Sequence, residues 1–343
     1  DKVEPRHRWI IGGNQQPLCA ATSSNCRYQA VLTADNEVHL KDNEADSCGQ
    51  FNEDEKYNFI SGTSHRIAVS NVGTILVATT TKCDDGSNHT VLRVVPNVPH
   101  GDGDEENEGD EPLPSVEITS YGEIIQYDFS VEDDDVIRFV KDRALYEWNC
   151  KCTAGLKQLF DLKDMSRCLR SYATIIPNTD AVVYYGHDQI GNNSTVVVQD
   201  KQKGIMCISP TGIVGTPSLP PMVSSYHKYL LVADDEDDRE FTLFELKHMQ
   251  PIARGHTAKG YVPVAVTNHG FIVERALTYN ANHTKHYSKT ARLVNPWTET
   301  PVSMASAPEG DNILEMALCD EIGKPLNLLM IYRDSLFIDT VHI

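Results

Sequence analysis

The sequence predicts an all-β fold, a seven-bladed β-propeller, and two observations carry the prediction. Apolar runs are short, rich in Val, Ile, Leu, Thr and Tyr, and bounded by Asp, Asn, Gly and Pro, which is the signature of strands. They also recur in pairs, strand–turn–strand, at a spacing of about fifty residues, the length of a four-stranded propeller blade. Seven such units divide the 343 residues evenly.

The pairs run in order along the chain. They are YQAVLTADNEVHLKD (28–42), TILVATTT to HTVLRVVPN (74–97), DVIRFVKDRALYEWN (135–149) and DAVVYYGH to STVVVQD (180–200). They continue with KYLLVADDEDDREFTLFELK (228–247), FIVERALTYN to KTARLVNP (271–296) and LNLLMIYRDSLFIDTVHI (326–343). A further apolar run precedes each pair, as in LCAATS (18–23), RIAVSNVG (66–73), EIIQYDFS (123–130) and YVPVAVTNHG (261–270), and reads as the inner strand. Outer-strand candidates follow most pairs, for example GLKQLFDLK (155–163) and QPIARGH (250–256). The last unit stops after its third strand, whereas the first is preceded by an orphan strand, HRWIIGG (7–13). If the orphan completes the last blade, the ring closes without an unpaired edge. The expectation is therefore one propeller domain over 1–343, with an acidic, disordered loop at about 100–114.

At this point the chain resembles the WD40 family in degenerate form. ALYEWN (144–149) occupies the place of that family's Trp-Asp strand end, with Asn149 for the Asp. ARGHTAKGYVPVAV (253–266) resembles its Gly-His dipeptide and following inner strand, through Gly255 and His256. The recurrent Trp-Asp and the Asp that pairs with the His are missing from most repeats. The resemblance implies a rigid disc with loops on two faces, suited to holding partners.

Net charge is −19, which argues against a nucleic-acid binder, since phosphates need a basic surface. No apolar run reaches the 18 or so residues of a transmembrane helix. The chain begins at Asp1, without Met and without a visible signal peptide, so the N-terminus does not indicate a compartment. The excess charge is concentrated in three loops. DGDEENEGDE contributes Asp102, Asp104, Glu105, Glu106, Glu108, Asp110 and Glu111, and EDDD contributes Glu132, Asp133, Asp134 and Asp135. On the blade assignment these share one face in neighbouring blades and form a candidate patch for docking a basic segment. The alternative is a solubilising insertion. The third cluster, Asp234, Asp235, Glu236, Asp237 and Asp238, reads as the hairpin between the second and third strands of blade 5.

Nine cysteines at irregular spacing read mostly as reduced, small apolar residues rather than as a disulfide framework. Only Cys150-Lys-Cys152 approaches a metal-ligand spacing, and no metal or other cofactor is expected. Walker, GxSxG and HExxH signatures are absent, so no catalytic residue is named. Sequons at Asn88, Asn193 and Asn282 fall in second-to-third loops, on the face opposite the acidic patch, and become glycan sites if the chain is secreted.

The reading that follows is a non-enzymatic, intracellular (cytoplasmic or nuclear) interaction scaffold, a monomeric disc or a subunit of a larger complex, with other proteins as partners. A secreted or cell-surface glycosylated propeller in ligand binding or adhesion is the alternative, and a propeller hydrolase or lyase is a third. Disulfide content separates the first two.

Overall fold

The computed structural model describes residues 5–11, 15–44, 47–52, 63–97, 113–121, 126–130, 133–152, 155–163, 172–186, 193–234, 239–279 and 286–343. They form an all-β ring of seven four-stranded antiparallel sheets, a seven-bladed β-propeller.

Blade 1 consists of Pro17–Thr22, Tyr28–Thr33, Glu37–Asp42 and Ser47–Asn52; blade 2 of Thr63–Val69, Ile75–Lys82, Asn88–Val95 and Ser115–Ser120. Blade 3 has Tyr127–Phe129, Val136–Lys141, Ala144–Asn149 and Lys157–Asp161; blade 4 has Ala173–Ile175, Ala181–Gly186, Asn193–Asp200 and Gly204–Val214. Blade 5 has Met222–Val223, Tyr229–Ala233, Glu240–Glu245 and Gln250–His256; blade 6 has Tyr261–Val266, Ile272–Ala276, Thr290–Asn295 and Thr300–Ser306. A two-stranded ribbon, Thr278–Tyr279 with His286–Tyr287, extends the hairpin of blade 6. All seven predicted strand pairs are the second and third strands of their blades.

Blade 7 settles the closure. Its order is Pro5–Ile10, Phe337–His342, Asn327–Tyr332, Ile313–Cys319, so the N-terminal strand is its outer strand. Trp9 stands opposite Ile338 and Ile10 opposite Phe337 in antiparallel register. The orphan strand thus lies where the sequence requires it, beginning two residues earlier than expected.

The hydrophobic core is distributed between blades rather than held at one centre. Each of the seven interfaces has its own buried cluster. Val77 and Tyr28 pack between blades 1 and 2, Leu92 and Phe139 between 2 and 3, and Leu145 and Tyr184 between 3 and 4. Val198 and Phe244 fill the interface of blades 4 and 5, Leu243 and Ile272 that of 5 and 6, and Leu293 and Met330 that of 6 and 7. Ala20, Val31, Leu329, Ile331 and Ile338 with Ile11 close the seam between 7 and 1. A middle strand is therefore covered on both faces, which explains why YQAVLT and AVVYYG are buried at every position instead of alternating. At about 25 cal/mol per Å2, continuous burial of this kind supplies the main favourable term.

Two local features refine the sequence reading. Cys26 and Cys319 form a disulfide, Cα to Cα 5.5 Å, across the seam, one pair within a set that the sequence reads as mostly reduced. Their separation of 293 residues hides the pairing, because only ring closure brings blade 7 against blade 1. Cys19 is buried and Cys150 and Cys207 pack against core clusters, as small apolar residues do. The second concerns the resemblance, whose Asp partner for the His is already missing from most repeats. Trp148 is buried against the blade 2–3 core, but the His256 side chain is 63% exposed and 4.0 Å from Glu240 at the blade edge.

Candidate functional site

The first-to-second-strand turns converge around the ring axis, and one chemical device shapes several of them. A hydroxyl at the end of the inner strand accepts the amide that begins the second strand. Ser23 Oγ receives Tyr28 N at 2.9 Å, Ser70 Oγ receives Thr74 N at 3.1 Å, Ser224 Oγ receives Tyr229 N at 3.0 Å and Thr267 Oγ1 receives Phe271 N at 3.1 Å. Short hydroxyl side chains are suited to this because they reach back to the local backbone and replace a ladder bond where the chain reverses. In blade 6 the reversal also needs Gly270, at φ +82, beneath Trp297.

The turns are then tied to one another. Asn71 Oδ1 accepts both Ser24 Oγ and Asn25 N at 2.9 Å, joining blades 1 and 2. Ser70 Oγ donates to Asp134 Oδ2 at 3.2 Å, joining 2 and 3, and Ile175 N donates to Gln126 Oε1 at 2.6 Å, joining 3 and 4. Asn268 spans three blades. Its Oδ1 accepts Tyr226 N at 2.9 Å, its Nδ2 donates to Ser225 Oγ at 2.7 Å, and its own amide donates to Asp320 Oδ2 at 2.5 Å. The Cys26–Cys319 bond completes the rim at the seam.

This rim surrounds a funnel of about 640 Å3 whose lining includes Asp128, Asp133, Asp134 and Asp320. The rest of the described lining is hydroxyl, amide or apolar, with Ser24, Asn71, Asn178 and Ser225 among the polar groups, and no Lys, Arg or His belongs to it. Blade 3 supplies three of the carboxylates and blade 7 the fourth. Burial pushes Asp128 up to about 6, opposed by the Phe129 amide and by Arg138. Burial also raises Asp134, and the neighbouring Asp135 and Asp133 add to the rise while the Ser70 hydroxyl opposes it. Asp320 is raised by burial against the donors of Asn268. A concave, partly dry site whose described lining carries only negative charge favours a cation, because the carboxylates have already lost hydration that a positive group restores.

Further from the rim, Glu315 on the inner strand of blade 7 accepts Ala20 N at 3.2 Å, and burial lifts it to about 7 despite Arg66 and Arg275. Arg275 donates to Ser288 Oγ and to the Ile313 carbonyl, both at 3.1 Å. Its guanidinium is itself lowered by burial.

The sequence-predicted patch is found in part. Asp133 and Asp134 line the funnel, while Asp135 turns away to an ion pair with Lys151 and lies 3.9 Å from Cys150 Sγ. Asp102, Asp104, Glu105, Glu106, Glu108, Asp110, Glu111 and Glu132 lie outside the described residues. Asp234 follows the Tyr229–Ala233 strand at the predicted hairpin, where it accepts the Ser218 hydroxyl, and Asp235, Glu236, Asp237 and Asp238 lie outside the described residues. Asn88 opens the third strand of blade 2 and is partly exposed, Asn193 opens that of blade 4, and Asn282 is outside the described residues. Sequence reasoning missed Asp128 and Asp320. Their signal was a carboxylate near the end of an apolar inner strand, in QYDFS and EMALCD. Among the described residues no three His, Cys, Asp or Glu side chains gather as a metal site would require.

Compared with protein-family models and with curated proteins, the chain matches none.

Proposed function

We propose that this propeller is a non-enzymatic interaction module that receives a basic segment of a partner protein in its axial funnel. The observation that supports the reading is the lining itself, four carboxylates on two sides of one cavity with no cationic side chain among the described lining residues. The reading moves the docking surface from acidic loops alone to the rim of the axis, with Asp133 and Asp134 common to both. Lysine or arginine side chains entering the funnel would meet charge that is preorganised by the inter-turn hydrogen bonds, so little ordering is lost on binding. The WD40-like character remains part of this proposal through buried Trp148, while exposed His256 does not contribute to it.

The test is binding of a fluorescent lysine-rich peptide, with a Gly-Ser peptide of equal length as control. Asp133→Asn and Asp134→Asn should each weaken the lysine-rich peptide by up to about fivefold, the equivalent of a half-exposed ion pair, and added salt should weaken it further. Equal affinity for both peptides would sink the reading.

A second reading concerns the compartment. The Cys26–Cys319 disulfide favours the secreted or cell-surface alternative, because such bonds persist in oxidising surroundings. Use of the Asn88 sequon, seen as an endoglycosidase-sensitive mass on protein from secreting cells, supports it. Thiols at both Cys26 and Cys319 in protein from its native source would count for the intracellular reading.

A further inference from the structure

We propose that Cys26 is a site of reversible thiolation, at which a low-molecular-weight thiol enters the seam between blades 7 and 1 and exchanges with the Cys26–Cys319 disulfide. The bond lies in the wall of a second cavity, of about 410 Å3, lined also by Gln29, Asn43, Lys324 and Thr340. This cavity is separate from the axial funnel and large enough for a small peptide thiol. The two sulfurs are not equivalent. Cys26 sits in a turn and is partly exposed, whereas Cys319 ends an inner strand at 9% exposure. Access therefore directs attack to Cys26 and makes Cys319 the leaving group.

The step balances without an outside oxidant. The thiolate sulfur bonds to Cys26 Sγ, the Cys26–Cys319 bond breaks, and its electron pair goes to Cys319 Sγ, which takes up a proton. A second thiol then attacks the adduct, leaves as the small-molecule disulfide, and returns Cys26 as a thiol.

Two observations make the exchange compatible with the folded ring. Cys26 has φ 58, the left-handed conformation that Gly73, His227 and Gly270 adopt at the same turn position without a disulfide, so the turn keeps its form when the bond is cleaved. The seam is also held independently, by the pairing of Pro5–Ile10 with Phe337–His342 and by the cluster around Val31 and Ile331. The same turn contributes Ser23 and Ser24 to the funnel, so the exchange acts on the rim of the ligand site.

The experiment incubates the oxidised full-length chain with reduced glutathione, alkylates free thiols and maps the products by mass spectrometry. The expected product carries glutathione on Cys26 and the alkyl label on Cys319. It should form in native buffer less than about 10^3-fold more slowly than in denaturant, since exchange limited by global unfolding is suppressed by at least that factor. Lys324→Trp, a bulky change at a side chain that is largely exposed, should narrow the cavity and slow native exchange severalfold while leaving exchange in denaturant unchanged. Glutathione on Cys319, exchange slower than the stated limit, alkylation of both cysteines before thiol is added, or a native rate unchanged by Lys324→Trp would each overturn the proposal.

Discussion

Arg8 and Asp339 form a two-pronged ion pair across the last strand pairing of the ring. Nε reaches Oδ1 at 2.9 Å and Nη2 reaches Oδ2 at 3.1 Å. The carboxylate is 1% exposed and also accepts the Tyr332 hydroxyl at 2.8 Å, while the guanidinium lies 3.7 Å over the Phe337 ring and is 46% exposed. The residue that fastens the N-terminal strand thus compensates a carboxylate buried in the C-terminal one.

Arg8→Ala should accordingly lower stability by about 2–3 kcal/mol, mostly the cost of leaving Asp339 buried with a single donor, discounted for the exposed half of Arg8. Arg8→Lys should lose less but still lose, because an ammonium cannot make the paired contact. Urea midpoints for the two variants measure this. Removing residues 1–13 should destabilise the ring more than either substitution, since it exposes the Phe337–His342 edge.

Glu315 gives the fold a pH dependence of definite sign. Its folded value, about 7, lies above the ordinary 4.5, so the folded state holds a proton that the unfolded chain has lost over that range. This contribution to stability is therefore fully present below about pH 4.5 and declines as pH rises through 7. Asp128, at about 6 against 3.8, acts in the same direction at lower pH. Glu315→Gln, which keeps an acceptor for Ala20 N, should raise the melting temperature at pH 8 by the equivalent of up to about 3 kcal/mol and have little effect at pH 4.5. An equal gain at both pH values would show that charge burial is not the cause.

Asn268→Ala should cost about 2–3 kcal/mol, because its side chain supplies three bonds that join blades 5, 6 and 7: with the Tyr226 amide, the Ser225 hydroxyl and the Asp320 carbonyl. Asn71→Ala removes the side-chain bonds between blades 1 and 2, leaves Asn25 Nδ2 on the residue 71 carbonyl, and should cost about 1–2 kcal/mol, since Ser24 and Asn25 remain exposed enough to turn to water. Chemical denaturation separates the two, and equal losses would contradict this weighting.

Gly270→Ala should destabilise by more than about 1 kcal/mol. The backbone is in the left-handed region and a Cβ would stand 2.9 Å from the Trp297 ring. Gly310, with φ +82 and open space around it, should tolerate alanine better, losing only the backbone term. Paired melting curves give the difference.

The strand pairs, their spacing of about fifty residues and the role of 7–13 were legible in the sequence, because strands declare themselves through local runs and turns bounded by polar residues. Asp133 and Asp134 were legible for the same local reason, as part of a charged turn. Asp128, Asp320, Glu315 and the Cys26–Cys319 bond were not, because each acquires its character from groups one or several blades away. A carboxylate becomes a funnel wall only when inner strands of separate blades face a common axis, and its protonation then follows from burial that no neighbouring residue in the chain predicts. The sequence by itself determined the number and order of the blades, since these depend on contacts within about fifty residues. The tertiary structure alone decided which charges meet at the axis and which cysteines meet at the seam, since closing the ring joins segments almost a whole chain apart.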